Sequence, residues 1–337
     1  LAVYQRFVSN YPKSTHAKRA YLQMGVIYRN MDEYDKSIEQ LKKVVETYPA
    51  TPEANEAISF AKLVYSKTNN MDEYITWVES IDFADVKKAA LDSTVYTTAY
   101  DFYGLGDCAQ AISGFDTYLE RFPLGYFANE AHFYLAECSY AQGDLAKSKV
   151  GYDAVASAEP NEFTERSLAK LAYMAFQEDS FDEAIGYYDQ MISSSEDINT
   201  YRIANVGLMR SHQKEEHFMK AIQYAEIIIG DEKMEPEVVN EAYLIKARNL
   251  WETGNQNAAH QAFIELEKVA EGEPKAEAKF YLAAILSNKE QYDSSNAKVF
   301  DLIENLPGFP EWRYRALIVL SKNYYALDDP FQANYTL

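Results

Sequence analysis

The sequence has few residues that cross-link or interrupt a chain. Its 337 residues include two cysteines, ten prolines and thirteen glycines, beside 28 tyrosines and 17 phenylalanines. Such a composition favours a mostly helical protein. Two cysteines are too few for a disulfide-built fold and lack the spacing of a metal site. Cys108 and Cys138 are either small buried thiols or a disulfide, which requires their Cα atoms to lie within roughly 7 Å.

Positive charge is also scarce. The chain has 32 Lys and Arg against 52 Asp and Glu, a net charge of −20. The sequence therefore predicts no binding to nucleic acids or to anionic membrane surfaces, because both bind basic surfaces. No apolar run, such as the five residues at 316–320, comes near the roughly 18 residues of a membrane-spanning helix.

Common catalytic and phosphate-binding motifs are absent from the sequence. Of its five histidines, only His212 and His217 are near each other, and five positions apart they do not share one helical face. We interpret all five as ordinary helix residues. The sequence therefore predicts no enzymatic activity, no cofactor and no metal.

A small residue recurs along the whole chain. The interval averages 37 residues over nine positions, and only Trp77 is large. The small residues are Ser37, Ala111, Ser148, Ala184, Ala221, Ala259, Ser295 and Ala333. Seven of the nine repeats have another small residue 12 positions earlier, namely Gly25, Ala99, Ala136, Ala172, Ala247, Ala283 and Ser321. A period of this length indicates repeated helix–turn–helix units.

The small residues have a packing reason. Two antiparallel helices cross closely only where neither presents a large side chain. A larger residue four positions after the second small one, such as Leu41 or Phe263, is expected to fill the next layer. Prolines such as Pro49 and Pro123 are expected to end one repeat and begin the next.

These features resemble the tetratricopeptide repeat. Its pattern has an apolar–small pair in the first helix, an alanine in the second and a proline at the end. The pairs here are Leu135-Ala136, Leu171-Ala172, Leu282-Ala283 and Leu320-Ser321. The resemblance implies an all-α, right-handed superhelical solenoid of about eight complete units. It also implies partial units at both ends, Ala2–Pro12 and Pro330–Leu337.

One short segment is similar to sequences of the bacterial cell-envelope branch of the family. This branch includes the Tol–Pal coordinator and the outer-membrane assembly lipoprotein. The segment is Phe7-Val-Ser-Asn-Tyr-Pro-Lys-Ser14, echoed at 118–123. This resemblance implies a periplasmic or outer-membrane-associated protein, with the cytoplasm as the alternative.

The second repeat is irregular. Its second helix, residues 71–80, is expected to be short, and Trp77 stands at its small position. Two interpretations remain open. A boundary near residue 84 separates N-terminal repeats at 1–84 from a C-terminal array at 85–337, or one continuous solenoid absorbs an insertion.

The resemblance also implies a concave groove lined by the first helices. The family's groove positions lie six and three before, and one and four after, the first small residue. In the third to fifth repeats they give the candidate residues Tyr96, Tyr100, Tyr103, Glu130, Phe133, Glu137, Tyr140, Tyr173 and Phe176. The alternative is that several of these rings pack between neighbouring first helices.

Charge is concentrated in the same region. Residues 101–200 contain five basic and eighteen acidic residues, a net charge of −13. The acids either attract a basic partner or form a solvated face. We therefore expect a monomeric, non-enzymatic scaffold that binds a basic or amphipathic protein or peptide segment in an acidic, aromatic groove. The alternative is a structural spacer without a dedicated ligand site.

Overall fold

The computed structural model describes residues 1–84 and 88–336, and within these ranges the chain folds into helices without strands. The helices are α1 Ala2–Asn10, α2 Ala17–Asn30, α3 Tyr34–Thr47, α4 Pro52–Lys67, α5 Met71–Glu79, α6 Lys88–Gly104, α7 Cys108–Arg121, α8 Ala128–Ala141, α9 Leu145–Ala156, α10 Thr164–Gln177, α11 Phe181–Ser194, α12 Ile198–Lys214, α13 Phe218–Ile229, α14 Pro236–Glu252, α15 Gln256–Val269, α16 Gly272–Asn288, α17 Tyr292–Asn305, α18 Pro310–Ala326 and α19 Pro330–Thr336. The prediction of an all-α fold is confirmed.

The chain divides into two compact units, unit 1 at Leu1–Ser167 and unit 2 at Leu168–Leu337. In unit 1, α2 packs on α3, α6 on α7 and α8 on α9. In unit 2, α12 packs on α13, α14 on α15 and α16 on α17. Each unit is thus a solenoid of helical hairpins, as the repeat predicted. The boundary expected near residue 84 adjoins residues 85–87, which lie outside the described residues, and it stays a prediction.

The turn inside each hairpin has a repeated backbone feature that the sequence pattern did not reveal. One turn residue has a positive φ, between 55° and 81°, a conformation that glycine, asparagine and aspartate adopt most readily. These residues are Asp32, Asn69, Gly106, Gly143, Asp179, Glu216, Gly254, Glu290 and Asp328. Their spacing also averages 37 residues, so turn geometry and helix packing share one period.

The small residues 12 apart meet as expected. The Ser37 hydroxyl donates a hydrogen bond of 2.7 Å to the carbonyl oxygen of Gly25, and Ser295 does the same to Ala283. A Cβ atom on Gly25 would lie 2.7 Å from the Leu41 Cδ2 atom, well inside van der Waals contact. Larger residues at these positions would push the paired helices apart.

The structure pairs Cys108 and Cys138 in a disulfide. Cys108 is the first residue of α7, and Cys138 lies near the end of α8. Their Cα atoms are 5.1 Å apart, and Cys138 is fully buried. The bond therefore links the starting end of one helix to the finishing end of the next, within unit 1.

Candidate functional site

Unit 1 has a tyrosine cluster formed by two first helices. Tyr100 and Tyr103 of α6 both contact Tyr134 of α8, with ring centroids 5.0 and 4.7 Å apart. Tyr100 is 40% exposed, whereas Tyr103 and Tyr134 are half-buried. Burial, together with a hydrogen bond to Tyr100, raises the pKa of Tyr134 to about 12. The cluster therefore presents neutral rings and hydroxyl groups at physiological pH.

Two other candidate rings pack inside unit 1. Tyr96 is 8% exposed and stacks on Phe127 at 4.3 Å between centroids. Phe133 is fully buried, and its ring lies 4.8 Å from that of Phe163. The guanidinium of Arg166, itself exposed, lies 4.5 Å from the Phe133 centroid and covers that ring by a cation–π contact. Packing between helices, the alternative left open by the sequence, applies to these two rings.

The acidic candidates lie beside rings. Glu137 accepts a hydrogen bond from the Tyr152 hydroxyl; together with burial, which has the larger effect, this bond raises the pKa of that phenol. The charge of Glu130 contributes to the raised pKa of Tyr96, where burial is again the main cause. Tyr140 is half-buried and interacts electrostatically with Tyr152.

In unit 2, the remaining candidates, Tyr173 and Phe176, line a cavity of about 570 Å³. The cavity lies between the first helices α10 and α12 and the residues leading into α14. Its walls also include Tyr188 of α11, Ile203 and Val206 of α12, and Met234. We call this cavity the α12 slot. Its volume is in the range of sites that hold small ligands or side chains.

Sequence reasoning missed the α12 residues of this slot because the sixth repeat has Met209 where seven other repeats have a small residue. Applying the same four offsets to Met209 gives Ile203, Val206, Arg210 and Gln213, and the first three line the slot. The repeat period alone could therefore have identified them.

Two arginines line the slot, and each forms a bidentate ion pair with a carboxylate. The Nε and Nη2 groups of Arg202 donate to Asp231 at 2.6 and 3.2 Å. Those of Arg210 donate to Glu241 at 2.9 and 2.6 Å. The bond to Glu241 raises the pKa of Arg210, and the bond from Arg202 holds the pKa of Asp231 below its usual range.

The pairing of Arg210 with Glu241 repeats one unit further along. Arg248 donates twice to Glu277 at 2.5 Å, and Glu277 is 1% exposed. In both pairs the arginine lies one position after the first-helix packing position, and the glutamate lies six before that of the next repeat. Neighbouring first helices of unit 2 are thereby joined by charge-assisted hydrogen bonds on one face.

His212 and His217, which we interpreted as ordinary helix residues, are brought together by the turn between α12 and α13, and His217 is the N-cap of α13. Their Nδ1 atoms are 3.3 Å apart. Burial lowers the pKa of His212, and the nearby His217 lowers it further. Lys220 acts in the same direction, while Asp182 and Asp189 oppose it. The neutral imidazole is therefore favoured in the folded state.

Lowering the pH from about 7 to about 5 is expected to reduce the free energy of unfolding of unit 2. An unfolded histidine, with a pKa of about 6.5, takes up a proton that folded His212 resists. The stabilisation that comes from neutral His212 is complete above a pH of about 6.5 and is lost as the pH falls below this value. His212→Gln should flatten the pH dependence measured by urea unfolding, and His16→Gln, at an exposed histidine, should not. An unchanged profile in His212→Gln would contradict this.

The described residues lack two further features. Across 1–84 and 88–336, no three potential metal-binding side chains of His, Cys, Asp or Glu come together. Over the same ranges, no helix combines the length and apolar character needed to span a membrane.

The hairpins, the close small-residue crossings and the shared face of the first helices define an all-α helical-repeat protein. Models of the tetratricopeptide repeat match residues 19–51 and 96–163. These two segments therefore carry tetratricopeptide repeats. No curated protein matches the chain significantly.

Several solved structures are similar at low identity. The C-terminal part of a tetratricopeptide-repeat protein from Cytophaga hutchinsonii is 16% identical, with 82% of this chain and 98% of that one covered and a TM-score of 0.41. PilW, a type IV pilus biogenesis factor, is 14% identical, with 67% and 98% covered and a TM-score of 0.35. A repeat protein from Parabacteroides merdae is 12% identical, with 80% and 98% covered and a TM-score of 0.29.

Proposed function

We propose that this protein is a non-enzymatic scaffold that binds a protein or peptide segment on the face formed by its first helices. The observation that carries the proposal is the tyrosine cluster of Tyr100, Tyr103 and Tyr134. Tyr100 remains 40% exposed although it contacts three other rings, those of Tyr96, Tyr103 and Tyr134. Large, stiff rings held in place by their neighbours are typical of binding hot spots, because little side-chain entropy is lost on binding.

The charge distribution supports a basic or amphipathic partner. Residues 101–200 carry a net charge of −13, and this segment includes Tyr103 and Tyr134. An acidic surface speeds encounter with a basic segment, and the association rate falls as salt rises. A structural spacer with no dedicated ligand site is the competing function, and it requires no exposed aromatic contact.

Site-specific photocrosslinking separates the two functions. A benzoylphenylalanine replacing Tyr100 is expected to capture a discrete protein partner in cells of the source organism. The same residue at Val150, which is 67% exposed on the second helix α9, serves as the control. The partner identified at position 100 should then bind the purified chain, and Tyr100→Ala should weaken that binding at least tenfold. This is the loss typical of a hot-spot residue. Equal crosslinking at both positions, or none, would favour the spacer.

We also infer that the protein works in an oxidising compartment, such as the periplasm or the periplasmic side of an outer membrane. The pairing of Cys108 with Cys138 supports this, because structural disulfides persist in oxidising compartments and are rare in the cytosol. The resemblance of residues 7–14 to envelope repeat proteins points the same way. The redox state of this cysteine pair in intact cells is the measurement that decides between the periplasm and the cytoplasm.

A further inference from the structure

We propose that the α12 slot binds one large apolar side chain of a partner polypeptide and, beside it, an uncharged backbone carbonyl. The inference rests on the proposed function and adds the chemistry of the segment that unit 2 recognises. It depends on three properties of the slot: an open apolar floor, internally neutralised charges and a tyrosine hydroxyl in its wall.

The floor of the slot is apolar and accessible. Ile203 is 56% exposed, and Val206 continues the same face of α12 one turn further on. Phe176 and Met234 form the flanking walls. Arg202 and Arg210, eight residues apart, delimit about 12 Å of the helix axis. A depression of this length accepts one leucine-sized or phenylalanine-sized side chain together with the adjacent backbone, and covering Ile203 removes apolar surface from water.

The charges around the slot are already balanced. Both guanidinium groups are held by carboxylates, Arg202 by Asp231 and Arg210 by Glu241. A charged ligand could form an ion pair with either arginine only by breaking an existing bidentate ion pair. At the rim, Lys233 and Glu235 carry opposite charges. The slot therefore selects an uncharged group.

Tyr188 provides the uncharged polar group of the slot, a hydroxyl that can donate a hydrogen bond. Tyr188 is 9% exposed and lines the slot, and none of the hydrogen bonds found among the described residues involves its hydroxyl. Gly207 fixes the position of the ring, because a Cβ atom there would overlap it. A hydroxyl in the wall of an apolar cavity can donate a hydrogen bond to a bound acceptor. A peptide carbonyl next to the apolar side chain provides one, whereas the hydrocarbon chain of a lipid does not.

The test uses the full chain with ¹³C-labelled Ile, Val and Met methyl groups. The probe is N-acetyl-L-phenylalaninamide, which has an aromatic side chain, two carbonyl groups and no charge. Titration to roughly 20 mM is expected to give saturable shifts at Ile203, Val206 and Met234, since fragments of this size bind in the millimolar range. N-acetyl-L-alaninamide and the charged N-acetyl-L-phenylalanine should bind at least fivefold more weakly, and octanoate should not bind more tightly than the probe.

Variants locate the interaction. Tyr188→Phe keeps the ring on Gly207 and should weaken probe binding about fivefold, the typical value of one hydrogen bond. Ile203→Glu should abolish it. Ile227→Glu, at an isoleucine 46% exposed on α13, is the matched control and should bind as the parent does.

Absence of saturable shifts at the slot methyl groups overturns the inference, as does full affinity in Tyr188→Phe or tighter binding of octanoate. Failure of the slot proposal can be distinguished from failure of the proposed scaffold function. A chain that captures its partner through Tyr100 but does not bind the probe refutes only the slot. Probe binding without any protein partner refutes only the scaffold.

Discussion

Phe133→Ala is expected to lower the free energy of unfolding of unit 1 by about 3–5 kcal/mol, the cost typical of removing a fully buried phenylalanine. The ring is 0% exposed and contacts Tyr134, Tyr152 and Phe163 at centroid distances of 5.5, 6.0 and 4.8 Å. Its removal leaves a void that α8 and α9 can close only by moving. Hydrogen exchange of peptides from α8 and α9, measured across a urea series, reports the loss locally.

Tyr100→Ala is the matched control for Phe133→Ala. It removes a ring that is 40% exposed, so its cost in stability should be below about 1 kcal/mol, while partner capture should be lost. Phe133→Leu should recover most of the stability lost in Phe133→Ala. If Phe133→Ala leaves hydrogen exchange unchanged and abolishes binding instead, Phe133 belongs to the binding surface and not to the core.

The contrast between Phe133 and Tyr100 shows what the repeat pattern can and cannot predict. Groove offsets place both residues on first helices, and that follows from the 37-residue period. How deep a ring lies depends on side chains outside the groove offsets. Phe163, just before α10, and Phe127, just before α8, cover Phe133 and Tyr96 from one shared repeat position, nine before the first small residue. Tyr134 joins the cluster from a position that the family offsets omit.

The helical pairs were predictable because small residues 12 apart act within one hairpin, where sequence distance fixes spatial distance. The turns were not, since glycine, aspartate, asparagine and glutamate share the left-handed position and no single residue type marks it. The groove residues of the sixth repeat were not predicted for a related reason. Met209 is fully buried at a position where six other repeats have alanine or glycine and one has serine, so a rule that required a small residue missed the slot.

Removing the disulfide is expected to lower the free energy of unfolding of unit 1 by about 3 to 4 kcal/mol. Cys108 and Cys138 are 30 residues apart in sequence. In the chain-entropy account, closing a loop of this size restricts the unfolded state by that amount. Cys108→Ser is the better variant, because Cys108 is half-buried and Cys138 is fully buried. Urea unfolding followed by hydrogen exchange of α7 and α8 measures the difference.

Chemical reduction is the control that distinguishes the effect of losing the disulfide from the effect of changing the Cys108 side chain. Dithiothreitol should destabilise the parent chain as much as Cys108→Ser does, and it should have no effect on that variant. Equal stability of the parent before and after complete reduction would contradict a structural role for the bond. If thiol-blocking reagents added to intact cells before lysis modify both cysteines, the pair is reduced in the cell and the periplasmic proposal fails. Protection of both until a reductant is added would connect the stability of unit 1 to an oxidising compartment, because reduction in the cytosol would leave unit 1 about 3 to 4 kcal/mol less stable.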